Sequence, residues 1–451
     1  MHRLRAFWLW LGSTLWFVPS LCVLVALLLA IGLTALDVVV GHDWTEDYPL
    51  FFGVGADGAR GMLSSIASSM MTVASLTFSL TISTLATASS QYTSRLIRSF
   101  MRDRYNQFVL GYFVGLFAYC LIVLRTIRGG DEGQFVPGIS VMTGLVLALV
   151  SIGVLIFFIH HIASSIQASV ILARVTQETL GALAVWFPQE LGQPAGAHPD
   201  VPARAESPGT VWHAITAART GYVRGVDEKT LLALAVEHDT VVRLEVEMGG
   251  FVNTHGVLCS IALTRPLDAS LLRALRGAFD VGSTRTVEQD PAFGVRQLVD
   301  IGLKALSAGV NDTTTGVMCV DSLSAVLELL TRRDIPDRLR AQDGTLRVIV
   351  RGRSYERLVG LCFDQIRLCA NENVAVLLAL LRAFTHAGRQ TAEPGRREVL
   401  RHHAERVAQV ADHTLQFEYD RTQVRTGLEA CLDTLGGPGA PEARALLPAR
   451  A

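Results

Sequence analysis

The feature that most restricts this chain is where its charges are missing. No Asp, Glu, Lys or Arg occurs between Arg5 and Asp37, Arg60 and Arg95, Arg104 and Arg125, or Glu132 and Arg174. Each interval holds an apolar run near the ~20 residues that cross a bilayer. A water-soluble core seldom yields four such runs in succession, so the pattern predicts four membrane helices, near 15–36, 62–88, 105–124 and 136–159.

The arginines predict orientation. Arg3 and Arg5 precede the first span, and Arg95, Arg98, Arg102 and Arg104 fill the connection between the second and third against Asp103 alone. The first loop instead carries Asp37, Asp43, Glu46, Asp47 and Asp57 against Arg60. Cytoplasmic flanks of membrane helices are enriched in Lys and Arg, which places both termini in the cytoplasm. Trp8, Trp10, Trp16, Trp44 and Tyr48 suit interfacial anchoring, and without an A-x-A site the first run reads as an uncleaved anchor.

After Arg174 charges recur regularly, so the remainder reads as a cytoplasmic portion. Pro188, Pro194, Pro199, Pro202 and Pro208 mark an extended linker over 174–208, followed by a domain over 209–435 and a loose tail over 436–451. Val242, Leu244, Val246 and Met248 alternate with charged residues as in a half-buried strand, and Gly249-Gly250 permits a hairpin turn into Phe251–Leu263. The stretch Val246–Leu258 looks like the strand-and-glycine pattern of a lipoyl-type barrel but has no lysine in its turn, so it reads as a structural β-unit. Helical patterns surround it at Lys229–Glu237, Phe293–Leu306, Thr313–Arg332, Tyr355–Ala387 and Arg396–Asp420. The expected fold is a four-helix α-helical transmembrane stem plus a cytoplasmic α/β portion, mostly helical with a small β-unit.

Composition removes several functions. Lys plus Arg number 40 against 41 Asp plus Glu, a net charge of -1, which excludes a globally basic nucleic-acid binder. The 7 cysteines form no CxxC or paired spacing, so neither a disulfide framework nor a zinc site is indicated, and no metal or cofactor is expected. Gly53–Gly58 matches G-x-G-x-x-G without a preceding strand, and there is no nucleophile elbow, P-loop or HExxH. An enzyme has no support among these motifs.

Four groups of polar residues stand out. In the second span Ser65, Ser69, Thr72, Ser79, Ser83, Thr87 and Ser90 recur at helical spacing. Such a row serves either close helix packing or, in a symmetric homo-oligomer, a polar path for ions or small solutes. Arg95, Arg98, Arg102 and Arg104 form a basic collar beyond it, suited to topology and anionic headgroups or to drawing anions towards a pore. His160 and His161 close the fourth span at the interface, pointing about 100° apart on a helix and so not a metal pair by themselves. Asp300, Asn311, Asp312 and Asp321 belong to a polar elbow that either caps and joins two helices or converges on a cation or polar ligand.

The stretches Phe78–Leu96, Phe135–Val141, Ile159–Gln167, Asp290–Gly294 and Asp300–Asp312 together resemble a family of bacterial predicted membrane proteins, domain of unknown function 2254. The resemblance runs from the first span to about residue 385 and implies a membrane stem with a cytoplasmic portion, without an activity. A multi-pass protein of the bacterial inner membrane is therefore expected, in contact with lipid and assembled as a homo-oligomer. Its function is either channel or transporter-like, or that of a membrane-tethered sensor or scaffold.

Overall fold

The computed structural model describes residues 16–40, 55–91, 103–129, 135–186, 193–194, 210–285, 287, 290–333, 339–351 and 354–436. These form thirteen helices and nine strands. The chain divides into two compact units, Met1–Val170 and Ile171–Ala451.

The first unit contains α1 (Phe17–Val40), α2 (Ala56–Gln91), α3 (Arg104–Thr126) and α4 (Gly138–Ser165). Each coincides with an expected span and is longer at one end at least. In a bilayer no hydrophobic force drives apolar helices together, so close backbone approach has to hold them. Helix α3 supplies it. Gly111 and Gly115 lie one turn apart, and a Cβ on Gly111 would fall 2.8 Å from the Cα of Pro19 and 2.8 Å from the Cβ of Cys22, both on α1. Around α3 the core gathers Phe113, Leu116, Tyr119 and Cys120 with Leu63, Ala67 and Met70 of α2 and Phe158 of α4. On α2 the buried positions Ala59, Leu63, Ala67, Met70 and Ala74 recur every three to four residues, so one stripe of that helix faces its neighbours.

Helix α5 (Ala168–Trp186) follows, so the segment expected to open an extended linker begins as a helix. In the second unit a six-stranded sheet has the order β1-β8-β9-β4-β6-β2, and a three-stranded sheet the order β5-β3-β7. The strands are β1 (Gln193–Pro194), β2 (Val211–Thr216), β3 (Gly221–Val226), β4 (Val242–Leu244), β5 (Phe251–Val252), β6 (Val257–Leu263), β7 (Phe279–Gly282), β8 (Leu339–Gln342) and β9 (Thr345–Ile349). Helices α6 (Glu228–Glu237) and α7 (Ala269–Gly277) accompany them. Ile215, Val242, Ile261, Leu275 and Val348 form their shared core.

The β-unit is therefore larger than one hairpin, and the expected strand pairing is corrected. Strand β4 stops at Leu244 and pairs with β6, while Phe251 and Val252 leave that sheet to pair with β3. The cause is the turn: Gly249 takes a left-handed φ of 74°, and Glu245–Met248 bend away before it.

A helical layer completes the unit, with α8 (Pro291–Ala305), α9 (Thr313–Arg332), α10 (Tyr355–Ala370), α11 (Val374–Arg389), α12 (Pro394–Thr414) and α13 (Glu418–Leu435). The long helix expected over Tyr355–Ala387 breaks after Ala370, where Asn371 adopts φ 44°. Among the described residues five helices are long and apolar enough to cross a membrane: α1 to α4 and α9. Helix α9 packs on α8, α10 and α11, burying Cys319, Val320, Leu323, Val326 and Leu327.

Gly111→Val should push α1 away from α3 and lower stability by about 1–3 kcal/mol, the cost of overpacking a tight contact. Thermal unfolding in detergent checks this against Gly153→Ala on α4, where nothing beyond the helix's own adjoining backbone lies within 4 Å of the added carbon and no loss is expected.

Candidate functional site

The hydroxyl row lies on the face of α2 that its own unit leaves uncovered. Ser65, Ser69, Thr72, Ser79, Ser83 and Ser90 are exposed and Thr87 is half-buried, opposite the stripe of Ala67, Met70 and Ala74. The hydroxyls that α2 does bury against its neighbours are Thr77 and Thr84, which belong to a different stripe. Several of the row bond back along the helix: Ser65 donates to the carbonyl of Gly61 at 2.9 Å, Ser69 to Ser65 at 2.8 Å, Thr72 to Ser68 at 3.0 Å and Thr87 to Ser83 at 3.0 Å. Each such bond satisfies the hydroxyl proton and leaves oxygen lone pairs facing outward.

The other predicted residues separate into those described and those not. Arg95, Arg98 and Arg102 lie outside the described residues, whereas Arg104 opens α3 and is exposed. His160 is exposed. His161 turns inward, its Nε2 2.8 Å from the carboxylate of Asp103, with its ring stacked on Phe157. Asp103 also caps α3 by accepting from the Tyr105 backbone N–H at 3.0 Å. In the elbow, Asp312 accepts from the Thr315 N–H at 3.0 Å and from its hydroxyl at 2.6 Å, a side-chain bond that also holds the carboxyl below its usual range. Asn311 takes a left-handed φ of 46° just before it, and Asp321 sits exposed two turns further along α9. Among the described residues no three His, Cys, Asp or Glu side chains form a group able to hold a metal ion.

Several polar groups that the sequence did not single out as a site are better placed. Asp37, buried at the end of α1, accepts from the N–H of Ile139 at 2.8 Å and of Ser140 at 3.0 Å, and from the Ser140 hydroxyl at 2.6 Å, so it caps α4 from a different helix. A cavity of about 780 Å³ adjoins it, lined also by Thr34, Arg125, Arg128 and Phe135. At the far end of α3, Arg60 of α2 donates to the carbonyl of Ile127 at 3.0 Å. In the second unit, buried Asp290 caps α8 and pairs with Arg285, while a Cβ on Gly249 would strike that same carboxylate. Gly294 lies so close to Thr179 of α5 that a Cβ there would clash.

The second unit also holds a cleft of about 670 Å³ among α8, α10 and α12, lined by Arg296, Arg357, Asp364, His403 and Arg406. Burial pushes the His403 imidazole below its usual range, against the opposing pull of Asp364. The thiols of Cys259 and Cys362 are pushed up to about 12 by desolvation, which removes them as nucleophiles at neutral pH.

Several apolar helices at membrane length, tied by glycine contacts and capped by buried carboxylates, make this an integral membrane protein. The family described as "Predicted membrane protein (DUF2254)" matches residues 12–386. The chain belongs to that family. It is also 32% identical over 448 residues to the uncharacterized protein Rv1290c of Mycobacterium tuberculosis and to the uncharacterized protein Mb1321c of Mycobacterium bovis, covering 97% of this chain and 84% of each relative. No solved structure matches. Two stretches that carried the family resemblance, Asp290–Gly294 and Asp300–Asp312, now have a physical reading: they hold the caps Asp290 and Asp312 and the close-contact glycine Gly294.

Replacing Asp37 with Ala should destabilise the first unit by about 1–2 kcal/mol, the usual cost of losing an N-cap. Thermal unfolding in detergent reads the loss, and Asp37→Asn should recover part of it because the amide oxygen still accepts.

Proposed function

We propose that this is a multi-pass protein of the bacterial inner membrane in which copies of α2 meet around an axis and line a polar path for ions or small solutes. The single observation that carries the reading is the position of the hydroxyl row on the uncovered face of α2. Left towards lipid, that face would place many hydroxyl oxygens in hydrocarbon, where polar atoms gain nothing from their surroundings. Turned towards identical faces of neighbouring copies, the same oxygens line a wettable surface. The lower hydropathy of α2, 1.4 against 2.7 for α1 and α4, supports the same placement. In this reading α1 to α4 are the membrane spans, α9 is a core helix of a cytoplasmic unit, and both termini are cytoplasmic. The packing of α9 among α8, α10 and α11 and the arginines that flank the stem support that assignment.

Reconstituted into vesicles, the protein should pass a small ion, and the double substitution Ser79→Leu with Ser83→Leu should abolish the flux while leaving assembly intact. Undiminished flux through the double variant would remove α2 from the path. A reporter fused after Ala451 should be active on the cytoplasmic side only.

A second reading, a membrane-tethered sensor or scaffold, draws support from the cleft among α8, α10 and α12. It requires that the cleft take a ligand, whether or not the stem conducts.

A further inference from the structure

The cleft in the second unit combines cations with one carboxylate in a way that selects among anions. Arg406 is exposed and has no carboxylate partner among the described residues. Arg296 gives one nitrogen to Gln365 at 2.6 Å, and Arg357 gives one to Glu247 at 2.7 Å, each keeping further N–H groups. The first turn of α10 lies at the rim, capped by Ser354, whose hydroxyl accepts from the Arg357 N–H at 3.3 Å. Helix N-termini present unpaired N–H groups and favour anions. Glu356, in that turn, is exposed and opposes them.

Asp364 stands among these cations. Its Oδ1 is buried 3.6 Å from Nδ1 of His403, and neither atom has a hydrogen-bond partner. His403 is only 3% exposed, so this is a buried polar group left unsatisfied at the floor of a cleft. Arg367 backs the same oxygen at 3.7 Å, and its Nε is likewise buried without a partner. The other oxygen, Oδ2, lies over Gly360, where a Cβ would come within 2.8 Å of it; glycine leaves that space open.

A carboxylate repels a fully deprotonated anion but accepts a hydrogen bond from one that still carries a proton. We propose that this cleft binds a phosphate group that keeps one proton, with Arg296 and Arg406 holding its charged oxygens and Asp364 accepting from its P–OH. Sulfate has the same shape and no proton at neutral pH, so the site discriminates against it. The group comes either as free inorganic phosphate or as the end of a phosphorylated small molecule. A monoester loses its last proton near pH ~6, so it offers the P–OH only on the acid side of that value. The assignment deepens the sensor reading by naming a ligand class, and it is independent of any flux through the stem.

Calorimetric titration of the full-length protein in detergent tests it. Inorganic phosphate should bind saturably at neutral pH and sulfate at least ~tenfold more weakly, the discrimination of about one charge-assisted hydrogen bond. Arg406→Gln should weaken phosphate by a further ~tenfold, with Arg406→Lys recovering part of it; Arg406 is exposed, so these variants keep the fold. Asp364→Asn should bring phosphate and sulfate towards equal affinity. Glycerol phosphate that outcompetes inorganic phosphate on the acid side of its last ionisation identifies a phosphorylated small molecule as the source, and failure to compete identifies free phosphate. Sulfate binding as tightly as phosphate, no saturable phosphate binding, or an Arg406→Gln variant that binds phosphate normally would overturn the assignment. Flux that fails while phosphate binds would count against the stem reading alone.

Discussion

A helix that ends inside or at the edge of hydrocarbon has N–H and C=O groups that water cannot reach, and the first unit is organised around that constraint. Asp37 covers the N-terminus of α4 from α1, and Asp103 covers the N-terminus of α3. At the opposite ends, Arg60 donates to the Ile127 carbonyl that closes α3, and His161 on the last turns of α4 meets Asp103. The two carboxylates and Arg60 match the helix dipoles, and Asp37, Arg60 and His161 each meet a partner on another segment, so the same bonds that finish the helices also fix their neighbours. The glycines of α3 can then press against α1 because the ends are already in register.

Helix α2 stands apart within this arrangement. It is 36 residues long, about 54 Å at the rise of an α-helix and well beyond the ~30 Å of hydrocarbon. One face is alanine-rich and closely packed, the other hydroxyl-rich and bare. Small side chains permit approach on the first face, and self-bonded hydroxyls lower the cost of the second without removing it.

Much of the membrane architecture was legible because its signal is composition over long windows. Charge-free intervals located α1 to α4 closely, and 3.6-residue periodicity located α6, α8 and α9. The short strands β2, β3, β7, β8 and β9 escaped because four to six residues carry too little alternation to stand out, and most of their partners are distant in sequence, as with Val242 beside Val348; only β8 and β9 meet as a local hairpin, across Asp343-Gly344. The break at Asn371 escaped for another reason: a single left-handed residue interrupts an otherwise continuous apolar stripe. The hydroxyl row was visible as a spacing, yet which way it faced depended on where Ala67, Met70 and Ala74 found partners. His403 and Asp364 were invisible as a pair, since 39 residues separate them and only the crossing of α10 and α12 brings them together. The glycine in Asp290–Gly294 was readable as part of a family pattern, but its reason, Thr179 on a preceding helix, was not.

That last contact decides what counts as a foldable piece. Thr179 is fully enclosed, Gly294 leaves it the room it occupies, and Arg333 reaches the carbonyl of Leu183 one turn further along α5 at 3.1 Å. Helix α5 is thus a wall of the second unit and no mere tether. Severing the chain at its proline-rich stretch would strip that wall away, opening a furrow along α8 and leaving a guanidinium without its carbonyl.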